Sequence, residues 1–154
     1  MKKFIITAIA FGVAISSSLP ASAIYNVAPK VGQCFMHTNG DVSADSPLKN
    51  PISCSQKHTA EIYYVGKWPL ATQASQMVFS DALKIAASIC GTPAMNRKLQ
   101  SAKINYWAWF TPSESAWAAG QRWIRCDGMV IATGGGTNDL AQYVFASWSG
   151  KRIK

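Results

Sequence analysis

Two histidines and a lysine are the residues through which this chain could carry out acid–base chemistry. His37 and His58 are the only histidines among 154 residues, and Lys57 precedes the second. Cleavage of a phosphodiester bond needs one imidazole as base, another as acid, and a cation to stabilise the charge on the phosphorane. These residues predict one function, a small basic ribonuclease-like hydrolase using His37, His58 and Lys57, on the condition that both rings share a cleft.

The stretch CSQKHTAEIYYV, residues 54–65, also admits a structural interpretation. His58 and Glu61 have the types of a base and its orienting carboxylate, but no serine nearby has the setting of a nucleophile. We therefore expect His58 to turn the chain into a strand and to bond Glu61 or a backbone carbonyl. The chain has no Cys-x-x-Cys or His-x-x-His spacing, so we expect no metal and no cofactor.

The first residues predict export. Lys2 and Lys3 precede an apolar run over residues 4–15, and Ala21-Ser22-Ala23 has the small-x-small pattern of a signal-peptidase site. A spanning helix needs about 20 apolar residues, so we expect residues 1–23 to be a cleavable signal peptide. The expected product is secreted, or extracytoplasmic, with no transmembrane segment after cleavage.

The remaining residues, 24–154, have the length of a single domain. The net charge of the whole chain is +8, and loss of Lys2 and Lys3 lowers it to about +6. The basic residues are scattered along the sequence rather than clustered in a stripe, which argues against nucleic acid. Scattered positive charge on an exported protein favours an anionic envelope polymer or a protein of the cell envelope as partner.

Four cysteines in an oxidising compartment predict two disulfides. Cys34 and Cys54 lie beside a loop on two strands that we expect to be neighbours. Cys90 closes the apolar face of a predicted helix, and Cys126 faces inward on a predicted strand. This placement favours the pairs Cys34–Cys54 and Cys90–Cys126, while pairing of Cys54 with Cys126 remains an alternative.

Residue patterns predict four strands, a main helix and a short capped helix. Ser80 is the expected N-cap of the main helix and Gly91 its exit. The spacing of four apolar residues predicts its buried face: Phe79, Leu83, Ala86 and Cys90. Thr111 is the expected N-cap of the short helix, which ends at Gly120. The predicted strands cover residues 31–38, 59–65, 103–110 and 122–131.

These elements mix without regular βαβ alternation. They predict an α+β fold: a small, mainly antiparallel sheet with one main helix, one short capped helix and two disulfides. Residues 139–150 fit a helix and a strand equally well. Trp107 and Trp109 share one face of their strand, so they form a candidate binding surface if they point outward. The alternative is that they pack against the helices.

Four blocks of the sequence resemble the septum formation-related domain, found in exported or membrane-tethered proteins, mainly of actinobacteria. The blocks are VGQCF, CSQKHTAEIYYV, DALKIAASICG and FTPSESAWAAGQRWIRC. The matching positions are Gly32, Cys34, Phe35, Cys54, His58, Glu61, Cys90, Pro112, Trp117, Gly120, Arg122 and Cys126. The resemblance covers about residues 31–131, which we take as the core of the domain, and leaves a tail over residues 132–154.

The resemblance implies a disulfide-bonded, non-enzymatic module of the cell envelope that binds an envelope component or a protein partner. It also implies a structural motif of five residues: His58, Glu61, Trp117, Gly120 and Arg122. We expect Glu61 to contact either His58 or Arg122 of that motif, and Cys54 to link this part of the chain to the rest through its disulfide.

Overall fold

A computed structural model describes residues 28–42, 49–133 and 144–154. The expected signal peptide, residues 1–23, lies outside this part of the chain, as do the first five residues, 139–143, of the segment 139–150 that fitted a helix and a strand equally well. No helix within the described ranges is both long enough and apolar enough to cross a membrane.

A four-stranded antiparallel sheet forms the centre of the fold. Its strands are β1 (Cys34–Phe35), β2 (Ala60–Lys67), β3 (Tyr106–Phe110) and β4 (Trp123–Met129), in the spatial order β1-β2-β4-β3. Branched and aromatic side chains dominate these segments, which suits a pleated surface buried on both faces. With the helices and the two disulfides, the sheet confirms the predicted α+β fold.

Four α-helices occur in the described ranges: α1 (Asn39–Val42), α2 (Phe79–Cys90), α3 (Pro93–Ser101) and α4 (Glu114–Ala118). The sequence analysis missed α3, in which the side chain of Thr92 caps the backbone N–H of Met95 and Pro93 occupies the first turn. The expected cap of α4 at Thr111 is wrong, because Ser113 accepts the hydrogen bond from the N–H of Ala116.

The main helix α2 faces the sheet with small residues rather than large ones. It begins at Phe79, with Val78 at the N-cap position instead of Ser80. Its buried residues are Ala82, Ala86 and Cys90, while Phe79 is 69% exposed and Leu83 is 38% exposed. The predicted buried face is therefore confirmed at Ala86 and Cys90 and wrong at Phe79 and Leu83, in place of which Ala82 is buried. Two alanines at helical spacing let the helix backbone lie close to the sheet, where Cys90 reaches Cys126.

The sheet separates two apolar clusters. Helices α2 and α3 cover one face, where their residues pack with Tyr63, Ile124 and Trp148. Phe35, Ile62, Phe110 and other side chains of the sheet pack together in the second cluster. Most of these side chains are almost fully buried, and such burial is the main favourable term in folding.

Both disulfides have the predicted pairing. Cys34 and Cys54 are joined with their Cα atoms 5.3 Å apart, and Cys90 and Cys126 with theirs 5.6 Å apart. Both separations are ordinary for disulfides. The first bond ties the edge strand β1 to the loop before β2, and the second ties α2 to the central strand β4.

The end of the chain returns to the sheet. Strand β6 (Val144–Phe145) pairs with β5 (Ile131–Thr133), and Trp148 then forms an isolated bridge with His58. Ile153 is buried and packs in the helix-covered cluster. The described parts of the expected tail are residues 132–133 and 144–154, and the second of these contacts the core directly.

Candidate functional site

His58 is held at the entrance to β2 by the C-terminal segment. Its backbone N–H donates to the carbonyl of Trp148 at 2.8 Å, and the N–H of Trp148 donates back at 2.9 Å. The two rings meet edge to face with centroids 4.9 Å apart. Nδ1 of His58 lies 2.9 Å from the carbonyl oxygen of Gln56. A carbonyl only accepts, so Nδ1 carries a proton, and Nε2 is the nitrogen left with a lone pair in the neutral form of the ring.

Glu61 is fully buried and holds the same segment. It faces Cys34 across the β1–β2 pair. Its Oε2 accepts hydrogen bonds from the backbone N–H groups of Arg152 at 3.0 Å and Ile153 at 3.3 Å. Such charge-assisted bonds are stronger than those between neutral groups. Glu61 thereby serves as the docking point for the C-terminal segment.

Two acceptors are left unpaired beside each other at this site. Nε2 of His58 and Oε1 of Glu61 are buried and have no hydrogen-bond partner among the described residues. Ligand atoms of His58, Glu61 and Cys34 all lie within 4.8 Å of one another. Burying a polar atom without a partner costs about 1–3 kcal/mol. We call these three residues, with Cys54, the His58–Glu61 site.

The expected contacts of Glu61 are replaced by others. Within the described residues no hydrogen bond joins Glu61 to the His58 side chain, and the expectation that Glu61 pairs with Arg122 is wrong. Nη1 of Arg122 instead donates to the carbonyl oxygens of Trp117 and Gln121, each at 2.7 Å. The guanidinium lies 3.9 Å from the ring centroid of Trp117. Arg122 therefore closes the loop after α4, where Gly120 adopts a φ of +90°, in the left-handed region.

The other histidine, His37, belongs to a buried ionic cluster. Nε2 of His37 lies 3.1 Å from Oδ2 of Asp127, and Nη2 of Arg125 lies 3.1 Å from the same oxygen. The Arg125 guanidinium is 4.5 Å from the ring centroids of both Phe35 and Phe110. The exposed fractions of the His37 and Asp127 side chains are 0%. We call His37, Arg125 and Asp127 the ionic cluster.

The ionic cluster is a structural feature that the sequence analysis missed. The available signal was the pair Arg125 and Asp127 at alternate positions of an apolar strand, which places both side chains on one face. A lone buried charge would be very costly, so an arginine and a carboxylate within one cluster must pair. Burial raises the pKa of Tyr63, and the negative charge of Asp127 raises it further.

The geometry does not support the hydrolase alternative. His37 packs between Phe35 and Phe110 in one apolar cluster, whereas His58 packs against Trp148 of the other. Both imidazoles are buried. They do not meet in an exposed cleft where substrate could reach them, and Lys57 points to solvent.

Trp107 and Trp109 lie on the helix-covered side of the sheet. Both are partly buried and pack against that cluster. Trp109 stacks on the buried Trp68 with ring centroids 5.8 Å apart, and Trp107 approaches Gly91 at the end of α2. The two tryptophans therefore pack against the helices, which was the alternative to an outward-facing binding surface.

The fold brings together basic residues that are scattered in the sequence. The ammonium of Lys151 lies 2.9 Å from the position that a Cβ on Gly32 would occupy, and the backbone N–H of Lys30, two residues before Gly32, donates to Oε1 of Gln33. Lys57 precedes His58, and Arg152 stacks 4.9 Å from the Trp148 centroid. We call the exposed basic residues around the docked segment the basic rim: Lys30, Lys57, Lys151, Arg152 and Lys154.

The fold and these contacts define a disulfide-bonded α+β module whose C-terminal segment is docked on a buried histidine and glutamate. The chain matches the Septum formation family model over residues 31–148 and belongs to that family. Membership makes it a module related to cell division and the cell envelope. The match extends past Ile131, where we expected the family core to end, and includes Trp148. No curated protein and no solved structure matches the chain.

Proposed function

We propose that this protein is an exported, non-enzymatic module of the cell envelope that binds an anionic envelope polymer through the basic rim. Family membership supports a role at the envelope. The disulfides are consistent with an oxidising, extracytoplasmic compartment. An anionic ligand is favoured by the distribution of charge over the described surface.

The acidic side chains of the described residues are largely neutralised within the fold. Glu61 and Asp127 are buried, while Asp41 pairs with Lys49 and Asp81 pairs with Lys84. Glu114 is exposed and forms no ion pair with the described part of the chain. The positive charges of the basic rim therefore act on solvent with little local cancellation, which attracts polyanions.

The absence of an enzymatic role is part of the proposal. Both histidines are committed to internal contacts, one in the ionic cluster and one beneath the docked segment. A general acid or base must come within hydrogen-bond reach of its substrate. These buried rings support a role as scaffolding rather than as acid–base groups.

A second candidate is a protein partner of the envelope, favoured by the start of α2. Val78 and Phe79 are each 69% exposed, and Leu83 one turn further on is 38% exposed. Exposed apolar groups of this kind are common at protein interfaces. On this candidate, Phe79→Ser reduces capture of the partner without affecting retention by polymer.

Cosedimentation with insoluble envelope polymer tests the first candidate. We expect retention that weakens as salt is raised, because screening shortens the range of surface charges. A variant with Lys30, Lys57, Lys151 and Lys154 changed to glutamine should lose most of its retention.

The matched control changes four exposed basic residues elsewhere to glutamine: Lys67, Lys84, Arg97 and Lys103. It has the same net charge as the rim variant and should keep its retention. Equal loss in both variants would show attraction by net charge alone and would rule out a site at the rim. No retention of the unmodified protein at low salt would reject the polymer as ligand.

A further inference from the structure

The His58–Glu61 site has the arrangement of ligands that a metal site requires. Nε2 of His58 and Oε1 of Glu61 are buried acceptors with no partner in the described ranges. The sulfur of Cys34 is the third potential ligand, and one ligand atom from each of the three residues lies within 4.8 Å of the other two. Ligand atoms around tetrahedral Zn²⁺ lie roughly 3.3–3.8 Å apart, so a small contraction would enclose an ion.

The surrounding hydrogen bonds also orient these atoms as in metal sites. Nδ1–H of His58 donates to the carbonyl of Gln56, which leaves Nε2 with its lone pair available. The other oxygen of Glu61 is fixed by the N–H groups of Arg152 and Ile153. Metal-binding histidines commonly donate their second N–H to a carbonyl, and metal-binding carboxylates are hydrogen-bonded in turn.

A disulfide occupies the sulfur side of the site. The sulfur of Cys34 is bonded to that of Cys54, and an oxidised sulfur is a poor ligand because the thiolate is the form that binds metal. Cys54 is the more exposed partner, while Cys34 is fully buried. An incoming thiolate would therefore reach the sulfur of Cys54 first.

We propose that reduction of the Cys34–Cys54 disulfide by a dithiol creates a Zn²⁺ site formed by both thiolates, Nε2 of His58 and Oε1 of Glu61. A thiolate of the dithiol attacks Cys54, and Cys34 leaves as thiolate. The second thiol of the reductant then releases Cys54 and forms the oxidised dithiol. Binding of Zn²⁺ to the two cysteine thiolates leaves two protons in solution. This proposal departs from the sequence-based expectation that the chain binds no metal.

The zinc content of the purified protein tests the proposal. The protein is reduced with a dithiol, freed of reductant without oxygen, and titrated with Zn²⁺ and then with Co²⁺. We expect one ion per chain in the reduced protein and none in the oxidised protein, with the visible absorption of tetrahedral Co²⁺ bound to thiolate. Glu61→Gln, and separately His58→Ala, should weaken the affinity by more than about 100-fold because each removes a direct ligand.

Two cysteine variants separate this site from the other thiols. The double variant Cys90→Ala, Cys126→Ala keeps every proposed ligand and should still bind one ion after reduction. The double variant Cys34→Ala, Cys54→Ala keeps the second disulfide pair and should bind none. Binding that is unaffected by Glu61→Gln, as expected for thiols of an unfolded chain, would overturn the proposal. Failure of the reduced protein to bind zinc would also overturn it.

Discussion

The Glu61 carboxylate in β2 accepts the backbone N–H of Ile153, which follows it by 92 residues, at a distance of 3.3 Å. The neighbouring N–H of Arg152 donates to the same oxygen. A glutamate of the predicted structural motif therefore connects the sheet to residues 152 and 153. This contact explains why a glutamate is buried in β2, because its carboxylate accepts hydrogen bonds from backbone N–H groups of the docked segment.

Replacing Glu61 with alanine should release the C-terminal segment. The change leaves the buried N–H of Ile153 and the partly buried N–H of Arg152 without their acceptor, which lowers the free energy of unfolding by about 2–4 kcal/mol. Urea denaturation measures the loss, and hydrogen exchange should show faster exchange of the Arg152 and Ile153 amides. Glu114→Ala, at an exposed position, should change stability by less than about 0.5 kcal/mol. Unchanged protection of the two amides in Glu61→Ala would contradict this docking.

Removing Asp127 should destabilise the protein strongly, because Arg125 would remain buried without a counter-charge. The expected loss for Asp127→Ala is about 3–5 kcal/mol. Asp81→Ala, which breaks an exposed pair, should cost at most about 0.5 kcal/mol. Thermal and urea unfolding measure both.

A double variant tests whether the ionic cluster acts as a unit. Asp127→Ala combined with Arg125→Met removes both charges, and we expect it to be more stable than Asp127→Ala alone. If Arg125→Met lowers the free energy of unfolding by the same amount in the Asp127→Ala background as in the unmodified protein, then the two residues do not interact.

Arg122→Lys should destabilise the loop after α4 although the charge is retained. Lysine has no planar guanidinium to stack on Trp117 while donating to two carbonyls. We expect a loss of about 1–2 kcal/mol. Arg97→Lys, at an exposed position on α3, is the matched substitution and should be nearly neutral. Equal melting temperatures for the two variants would show that the arginine geometry is unimportant.

Asp41 should contribute stability that depends on pH. Burial raises the pKa of Asp41, but hydrogen bonds from Lys49 and Thr38 lower it, and the net pKa lies below the ordinary value. A pKa that is lower in the folded state gives stability that is present above the unfolded pKa of about 3.9 and is lost as the pH falls through the folded value. Unfolding free energies of the unmodified protein and Asp41→Asn should differ most near neutral pH and converge in acid. A difference that is constant with pH would exclude this carboxyl as the cause.

The disulfides and most strands could be predicted from sequence because their signals are local. Four cysteines allow only a few disulfide pairings. Runs of strand-forming residues and a glycine after the helix indicate where strands lie and where the helix ends. The buried face of α2 was predicted less well, since hydrophobicity favoured Phe79 and Leu83. Close packing of α2 on the sheet, with Cys90 bonded to β4, instead selects the small residues Ala82 and Ala86.

The contacts of the candidate site could not be predicted in the same way. The donors to Glu61 are backbone N–H groups, which every residue except proline has, so no side-chain pattern identifies them. The basic rim could not be read from the sequence either, because Lys151 approaches Gly32 only through the return of the chain to the start of β1. His58 and Glu61 could be identified from the sequence as structural residues, but their partners in the C-terminal segment could not.

The order of the strands limits how early the protein can fold. Strand β2 pairs with β4, whose first residue, Trp123, lies far along the chain from Lys67, its partner in the register. Pairing between distant segments slows folding, since a long loop must close before any contact forms. During synthesis the sheet therefore has to wait for residues 123–129, and the burial of Glu61 has to wait for Ile153. A chain that is still being synthesised would therefore leave the Glu61 carboxylate without these backbone donors until Ile153 has emerged.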